Sequence, residues 1–356
     1  MLVYSYLYQK SSVGTIRVKN PLSVLDEWNN DVYWFDLPGI PPREESMAGC
    51  STMYLRGFVN VGALEWIKYI HRHKKFPQCK FVLDNDDLIW DFKLPEWNNY
   101  KTKFDNAYMQ FSKEEAEWIG TMDGLTFSTP YLRDYVKAKF DPPGKMTVVP
   151  NAVKRSEWFC RRVELDRDIS TPRFVYMASK THYSNEKKML GDWTEELVAW
   201  FKENVRRGRI ELSCIGGLPW FFEDCKDRID VHGWTRYSEL PGVLREIRPH
   251  FSINPLAECD FNRAKSDVKK VESAALDIVC IGTDFDDSPY TSCEAKISKE
   301  PQISELDSLL KRVTDKNFYN SMLANQRDWM ERDGRWLECE KHLSVLRSAL
   351  LLPEAR

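Results

Sequence analysis

The chain has 356 residues, enough for two α/β domains with separate cores. A hydrophobic content of 42% with 29% charged residues excludes a disordered chain. No run of about 18 apolar residues is available to cross a membrane as a helix. The formal net charge of −3 excludes a protein that coats nucleic acid by bulk electrostatics, while leaving room for a local basic face. Nine cysteines without paired spacing predict free thiols in a reducing compartment, hence a cytoplasmic protein. No CxxC or HxxxH spacing marks a metal site, so none is expected.

The first half alternates strands and helices. The opening MLVYSYLYQK has neither a basic start nor a small-residue cleavage site, and it reads as a first strand over residues 2–8. The loop Ser11-Ser12-Val13-Gly14 follows, then a helix over 21–28, a short strand over 31–35 and a Pro/Gly-rich acidic loop over 37–50. Strands are predicted at 53–56, 80–84, 124–128 and 146–149, and helices at 61–73, 112–119 and 130–140. Such alternation implies a parallel sheet covered by helices on both faces. The aromatic content of 13% and the 13 tryptophans imply heavy aromatic packing.

Residues 154–171 are polar and read as a linker. The alternation then restarts, with strands at 173–178, 210–215, 229–233 and 250–255 and helices at 191–206 and 240–247. Beyond Pro301 the chain is helical, at 303–313, 318–332 and 337–351. The reading is therefore an α/β protein with two Rossmann-like domains facing each other across a cleft. An N-terminal domain over 1–153 is joined to a second over 154–335, followed by a final helical segment over 336–356.

Ligands of open α/β sheets lie at the carboxyl ends of strands, which directs attention to a few loops. The strongest is Asn262-Arg263-Ala264-Lys265-Ser266, basic and small, placed to open a helix that carries Glu272. A helix N-terminus with Lys265 suits a phosphate. Glu272, about two turns on, is placed to accept hydrogen bonds from ribose hydroxyls. The alternative is a helix with exposed charges and Ala274, Ala275 and Leu276 facing a core. Asp84-Asn85-Asp86-Asp87 ends a strand of the first half and allows three readings: a cation site, a carboxylate base, or a helix cap by Asp86 or Asp87. Two basic patches, His71-Arg72-His73-Lys74-Lys75 and Arg206-Arg207-Gly208-Arg209, read either as solvated helix ends or as a contact for an anionic partner.

The whole run 251–284, FSINPLAECDFNRAKSDVKKVESAALDIVCIGTD, resembles the donor-binding segment of two-domain (GT-B) glycosyltransferases. The resemblance implies a glycosyltransferase that moves a hexose or pentose from a nucleotide diphosphate sugar, a uridine diphosphate sugar by family habit, to an acceptor hydroxyl. No metal or other cofactor is implied for catalysis, and the resemblance implies that the final helical segment over 336–356 returns toward the first domain. It assigns the donor to Asn262, Arg263, Lys265, Ser266 and Glu272, with Lys180 on the phosphates and Gly233-Trp234 beside the base. Gly14 and Arg17 in the first loop would approach the transferred sugar and phosphate, and Asn151 in Pro150-Asn151-Ala152-Val153 would fix the crossing between domains. Asp84, Asp86 and Asp87 fall on the acceptor side as catalytic or structural groups. Retaining relatives carry a second glutamate eight positions before Glu272, where this chain has Ala264, so Glu258 or Asp260 is the substitute to examine. The run around residues 262–272 is similar to bacteriophage-type glycosyltransferases, some of which modify hydroxymethylated DNA bases, which makes DNA one candidate acceptor beside saccharides and proteins. A nucleotide-sugar-binding protein without turnover and a GT-B-fold epimerase or phosphorylase are the alternatives.

Overall fold

The computed structural model describes residues 2–7, 14–34, 49–56, 61–73, 75–88, 94–98, 117, 119–159, 168–178 and 181–352. Two six-stranded sheets organise them, and every strand pairing in both is parallel. The first contains β1 (Leu2–Leu7), β2 (Trp28–Trp34), β3 (Cys50–Arg56), β4 (Lys80–Asn85), β5 (Gly124–Phe127) and β6 (Lys145–Val148), in the order β2-β1-β3-β4-β5-β6. The second contains β7 (Arg173–Met177), β8 (Glu211–Ile215), β9 (Ile229–His232), β10 (Phe251–Asn254), β11 (Val279–Asp284) and β12 (Ala295–Ser298), in the order β12-β11-β10-β7-β8-β9. Helices on both faces explain why β5 and β10 are buried along their whole length instead of alternating.

Among the described residues, Trp158, Trp193, Trp200, Trp329 and Trp336 are buried in packing. Trp193 meets Tyr176, Phe201, Phe221 and Phe222 edge-on or tilted, with ring centroids 5.0–5.5 Å apart, and this aromatic cluster fills the second core. Helix Glu195–Arg206 covers it, starting where Thr194 accepts a hydrogen bond from Leu197 N. The expected start at Gly191 is four residues early, because Gly191 has φ +69° and belongs to a turn.

Other boundaries differ from expectation for physical reasons. In place of a helix over 21–28, a π-helical turn (Thr15–Lys19) runs into a short helix (Asn20–Leu22), and β2 starts at Trp28. Val18, Leu22 and Leu25, spaced by four and three, bury together against Val3, Tyr54 and Val82. Within the expected linker, Arg155–Trp158 is helical, and Trp158 is fully buried. A 3-10 segment (Trp220–Arg228) and strand β12 were not anticipated. Residues 8–13, most of the loop 37–50 and most of the expected helix 112–119 lie outside the described residues.

The chain crosses between the halves twice, side by side. Val153 N donates to Arg335 O (3.1 Å) and Leu337 N to Val153 O (3.0 Å). Helix Glu340–Ala349 then packs on the first half, with Leu346, Ala349 and Leu350 in one cluster with Val3, Tyr54 and Val82. Thr52 Oγ1 donates to Leu350 O at 2.8 Å, and Arg347 pairs with Glu27.

His342 lies inside this returning helix, 3% exposed. Burial, with Arg17 and Arg335 nearby, pushes its pKa down to about 4. A group whose pKa is lower folded than unfolded binds fewer protons when folded, so its contribution is present above about pH 6.5 and is lost as the pH falls toward 4. Denaturant titrations at pH 7 and pH 5 are expected to show about 2 kcal/mol less stability at the lower pH from this group. His342→Gln should remove that part of the slope; an unchanged pH profile would contradict the assignment.

Candidate functional site

In each sheet the strand order reverses at one place: between β1 and β3 in the first, and between β7 and β10 in the second. Such a switch point leaves a crevice outside the carboxyl ends, where open α/β sheets take their ligands. Charged groups collect at both.

At the second switch point, the loop after β7 supplies His182 and the loop after β10 supplies Ala257, Asn262 and Lys265. Gly191 lets the chain cross close behind His182, since a Cβ there would fall 2.1 Å from His182 O. That crossing brings up Asp192, whose carboxylate is 1% exposed. Asp192 Oδ2 lies 2.7 Å from His182 Nδ1, and Oδ1 accepts from Ala257 N (3.0 Å) and Asn262 Nδ2 (2.7 Å). Burial alone would raise the pKa of Asp192, but the His182 contact, Lys265 and the Ala257 amide hold it below the usual carboxylate range. Lys265 Nζ stands 3.3 Å from His182 Nδ1 and 3.4 Å from Nε2. Burial and the Lys265 charge hold the His182 pKa down, against the pull of Asp192.

Further along the same segment, Lys269 Nζ donates to Glu272 Oε2 at 2.8 Å, and the Glu272 side chain is 1% exposed. Lys269 and Glu272, three apart, share one face of a helix, while Lys265 precedes it outside regular structure. The helix itself runs Val268–Ala275 and starts later than the sequence suggests. Asp260–Arg263 is a separate turn, and Ser266 lies between the two, its Oγ accepting from Asn151 Nδ2 at 2.7 Å.

The structure sorts the remaining donor candidates. Arg263 is tied to Glu258 (2.7 Å) and Asp260 (3.0 Å), and Lys299 holds the other oxygen of Glu258 at 2.5 Å. Glu258 is thus a doubly paired surface carboxylate, its pKa lowered by Lys299 and Arg263. Ala264 is fully buried and, with Phe261, packs into the first-half core beside Leu83, Phe127 and Leu132. No carboxylate stands at that place. Gly233 is open, since a Cβ there would meet nothing within 4 Å, and Trp234 is 71% exposed. The neighbouring Gly216 is required by geometry: φ is +100°, and a Cβ would lie 2.3 Å from Ala178 O. Lys180 lies outside the described residues.

At the first switch point the acidic run divides. Asp84 is fully buried and accepts from Arg17 Nη2 (2.6 Å), Arg17 Nε (3.2 Å), Thr126 Oγ1 (2.7 Å) and Tyr54 OH (3.1 Å). Burial would raise its pKa, but the Arg17 ion pair prevails and holds it down. Arg17, 3% exposed, also donates to Val149 O (2.5 Å) and Asn151 Oδ1 (3.0 Å). Asp84 and Arg17 therefore sit beneath the cleft floor as an internal pair, unlike the substrate-facing positions expected of them. Gly14, which precedes the π-helical turn, is buried as well. Asp86 faces outward, 12% exposed, and is paired with Arg56. Burial, with Asp87 and Asp84 adding to it against Arg56, pushes the Asp86 carboxyl up to about 7. Asp87 is half-buried beside it.

Both basic patches lie away from the crevices. Residues 71–73 end the helix that leads back to the start of β4, and 206–209 end the helix that leads to the start of β8, at the amino edges of the sheets. His71 approaches Asp123 at 3.8 Å, Arg206 pairs with Asp224 and Arg207 with Glu203. A cavity of about 250 Å³ lined by Lys270, Cys280, Ser292 and Trp329 also opens toward the amino ends of β11 and β12. Among the described residues no group of three or more His, Cys, Asp or Glu could hold a metal ion. No helix among them is long and apolar enough to cross a membrane.

Two parallel α/β sheets facing each other, with charged groups at both switch points and a final helix returning to the first half, define the GT-B architecture. Solved structures share it over the whole chain. Sucrose-phosphate synthase from Thermosynechococcus elongatus matches with a TM-score of 0.60 at 11% identity, over 99% of this chain and 98% of that one. Anabaena HepE in complex with UDP-glucose matches with a TM-score of 0.59 at 6% identity, over 99% of each chain. TarM matches with a TM-score of 0.53 at 11% identity over 83% of this chain, which spans 54% of TarM. At such identities the likeness establishes the fold. No protein-family model and no curated protein matches the sequence.

Sequence reasoning passed over Asp192 and Lys269 and gave His182 little weight. The Lys269/Glu272 spacing was a usable signal for Lys269. Nothing local marked Asp192, which reaches His182 only through the turn at Gly191.

Proposed function

We propose that the protein transfers a sugar from a nucleoside diphosphate sugar to an acceptor hydroxyl. One observation carries this reading: Lys265, Lys269, His182 and the buried Glu272 converge at the switch point of the second sheet. Lys265 and Lys269 offer two positive charges to a diphosphate, and charge leaving on that diphosphate in the transition state is stabilised there. Glu272, now held by Lys269, is the acceptor for ribose hydroxyls. The exposed Trp234 offers a stacking face to the base. Uridine is the preferred base, supported by the UDP and UDP-glucose complexes of HepE. Asp86, whose carboxyl titrates near neutrality, is the group on the acceptor side suited to take a proton from the attacking hydroxyl.

Retention at the anomeric carbon follows from the resemblance alone, and the product's anomeric proton in NMR tests it. DNA as acceptor rests on the resemblance alone; residues 71–73 and 206–209 of the basic patches sit on the far edges of the sheets, which favours a saccharide, protein or small-molecule hydroxyl. Ala264 favours the alternative of a binder without turnover, and donor hydrolysis above background would remove that alternative.

A thermal-shift panel tests the donor site. UDP at about a hundredfold excess over Kd is expected to raise Tm by about 4 °C in the wild type. Glu272→Ala should lose most of that rise. No shift with any nucleoside diphosphate or nucleotide sugar would overturn the proposed function.

A further inference from the structure

The proposed donor site contains a histidine, a side chain whose ordinary pKa lies close to physiological pH. We infer that His182, oriented by Asp192, is a third, titrating cation of the diphosphate site: it takes a proton from solvent when a nucleoside diphosphate binds beside Lys265 and returns it when the nucleotide leaves. The inference rests on the donor-site reading above.

The geometry supports it in three ways. Asp192 Oδ2, 2.7 Å from Nδ1, fixes the tautomer with hydrogen on Nδ1, so the titrating nitrogen is Nε2. Asp192 cannot turn away, because its other oxygen is held by Ala257 N and Asn262 Nδ2. Among the described residues, no carboxylate or carbonyl accepts from Nε2; its neighbour is the Lys265 ammonium, 3.4 Å away. The charged groups around the ring are Asp192, Lys265 and Lys269. Two lysines and burial outweigh one carboxylate, so His182 is neutral without ligand. A diphosphate brings up to three negative charges to the lysines. Their repulsion of an imidazolium is then cancelled, and Nε2–H gains an anionic acceptor, so the His182 pKa rises on binding. The diphosphate itself does not change covalently in this step; the only transfer is one proton from solvent to Nε2.

By linkage, UDP affinity must then fall as the pH rises through the His182 pKa of the complex. Calorimetric titration of the full chain with UDP at pH 7.5, in two buffers of different ionisation enthalpy, counts the protons. The wild type is expected to take up a substantial fraction of a proton per UDP, and His182→Gln none. The nucleotide's own terminal phosphate, with a pKa of about 6, contributes equally to both proteins and cancels in the difference. The affinity of His182→Gln should be about tenfold weaker than wild type at pH 6.5 and converge with it at pH 9. Independently of any variant, the His182 Hε1 resonance, one of six histidines, should titrate at higher pH with UDP than without. UDP binding with equal proton counts in both proteins, or a His182 resonance indifferent to UDP, overturns this inference and leaves the donor site standing. Failure of the wild type to bind any nucleoside diphosphate overturns the donor site, and the inference with it.

Discussion

Asp84→Ala is expected to cost about 3–5 kcal/mol of folding free energy, the largest single effect of any substitution considered. The carboxylate has no solvent exposure and receives the Arg17 guanidinium through two nitrogens, along with Thr126 and Tyr54. Its removal leaves Arg17, itself 3% exposed, as an uncompensated buried cation. The remaining Arg17 acceptors, Val149 O and Asn151 Oδ1, carry no formal charge. Asn151 also reaches Ser266 and receives Arg335 through its carbonyl, so damage at Asp84 spreads to the crossing between the halves. Denaturant unfolding measures the loss. Pairing the change with Arg17→Met should cost less than the sum of the two single variants, because the second removes the stranded charge. A loss below about 1 kcal/mol, the worth of an exposed ion pair, would contradict the internal role.

Lys265→Ala is expected to lower kcat/KM by about 10²- to 10³-fold while leaving the fold intact, the magnitude for removing one electrostatic contact to developing charge. Lys265 is half-buried, and beyond His182 it lies over the Phe261 ring at 5.0 Å, a contact of modest worth. Steady-state assay of UDP release, with Tm measured in parallel, separates the two effects. An unchanged kcat/KM at unchanged Tm would remove Lys265 from the donor site, whereas a collapsed Tm would show it to be structural. Lys265→Arg should recover part of the activity, since it restores charge with different geometry.

The two acidic positions most alike in the sequence came apart in the structure. Asp84 lies within β4, whereas Asp86 stands just past its last residue, Asn85, so strand periodicity no longer governs where Asp86 points. Asp84 meets Arg17, Tyr54 and Thr126 in the interior, with Arg56 at 3.5 Å, and Arg56 also pairs with Asp86. The strand was legible to sequence reasoning; that it turns Asp84 inward and ends before Asp86 was not, because that depends on the residues that β3 and β5 place alongside. Arg17 shows the same limit. Its position after the first strand was compatible with a ligand contact, but a π-helical turn rotates it beneath the sheet's edge.

What the sequence by itself determined is the alternation of short apolar strands with amphipathic helices, restarting once, and the run 251–284 with Lys265 seven positions before Glu272. These follow from local periodicity, which the backbone obeys wherever apolar faces must be buried on both sides of a parallel sheet. Tertiary structure alone decided strand order, and strand order decides where the switch points fall. Only there do His182, Asp192 and Lys265, spread over more than eighty residues of chain, come within hydrogen-bonding reach. Contacts at that separation leave no trace in local spacing, because their free energy comes from the closure of the fold and not from neighbours in the chain.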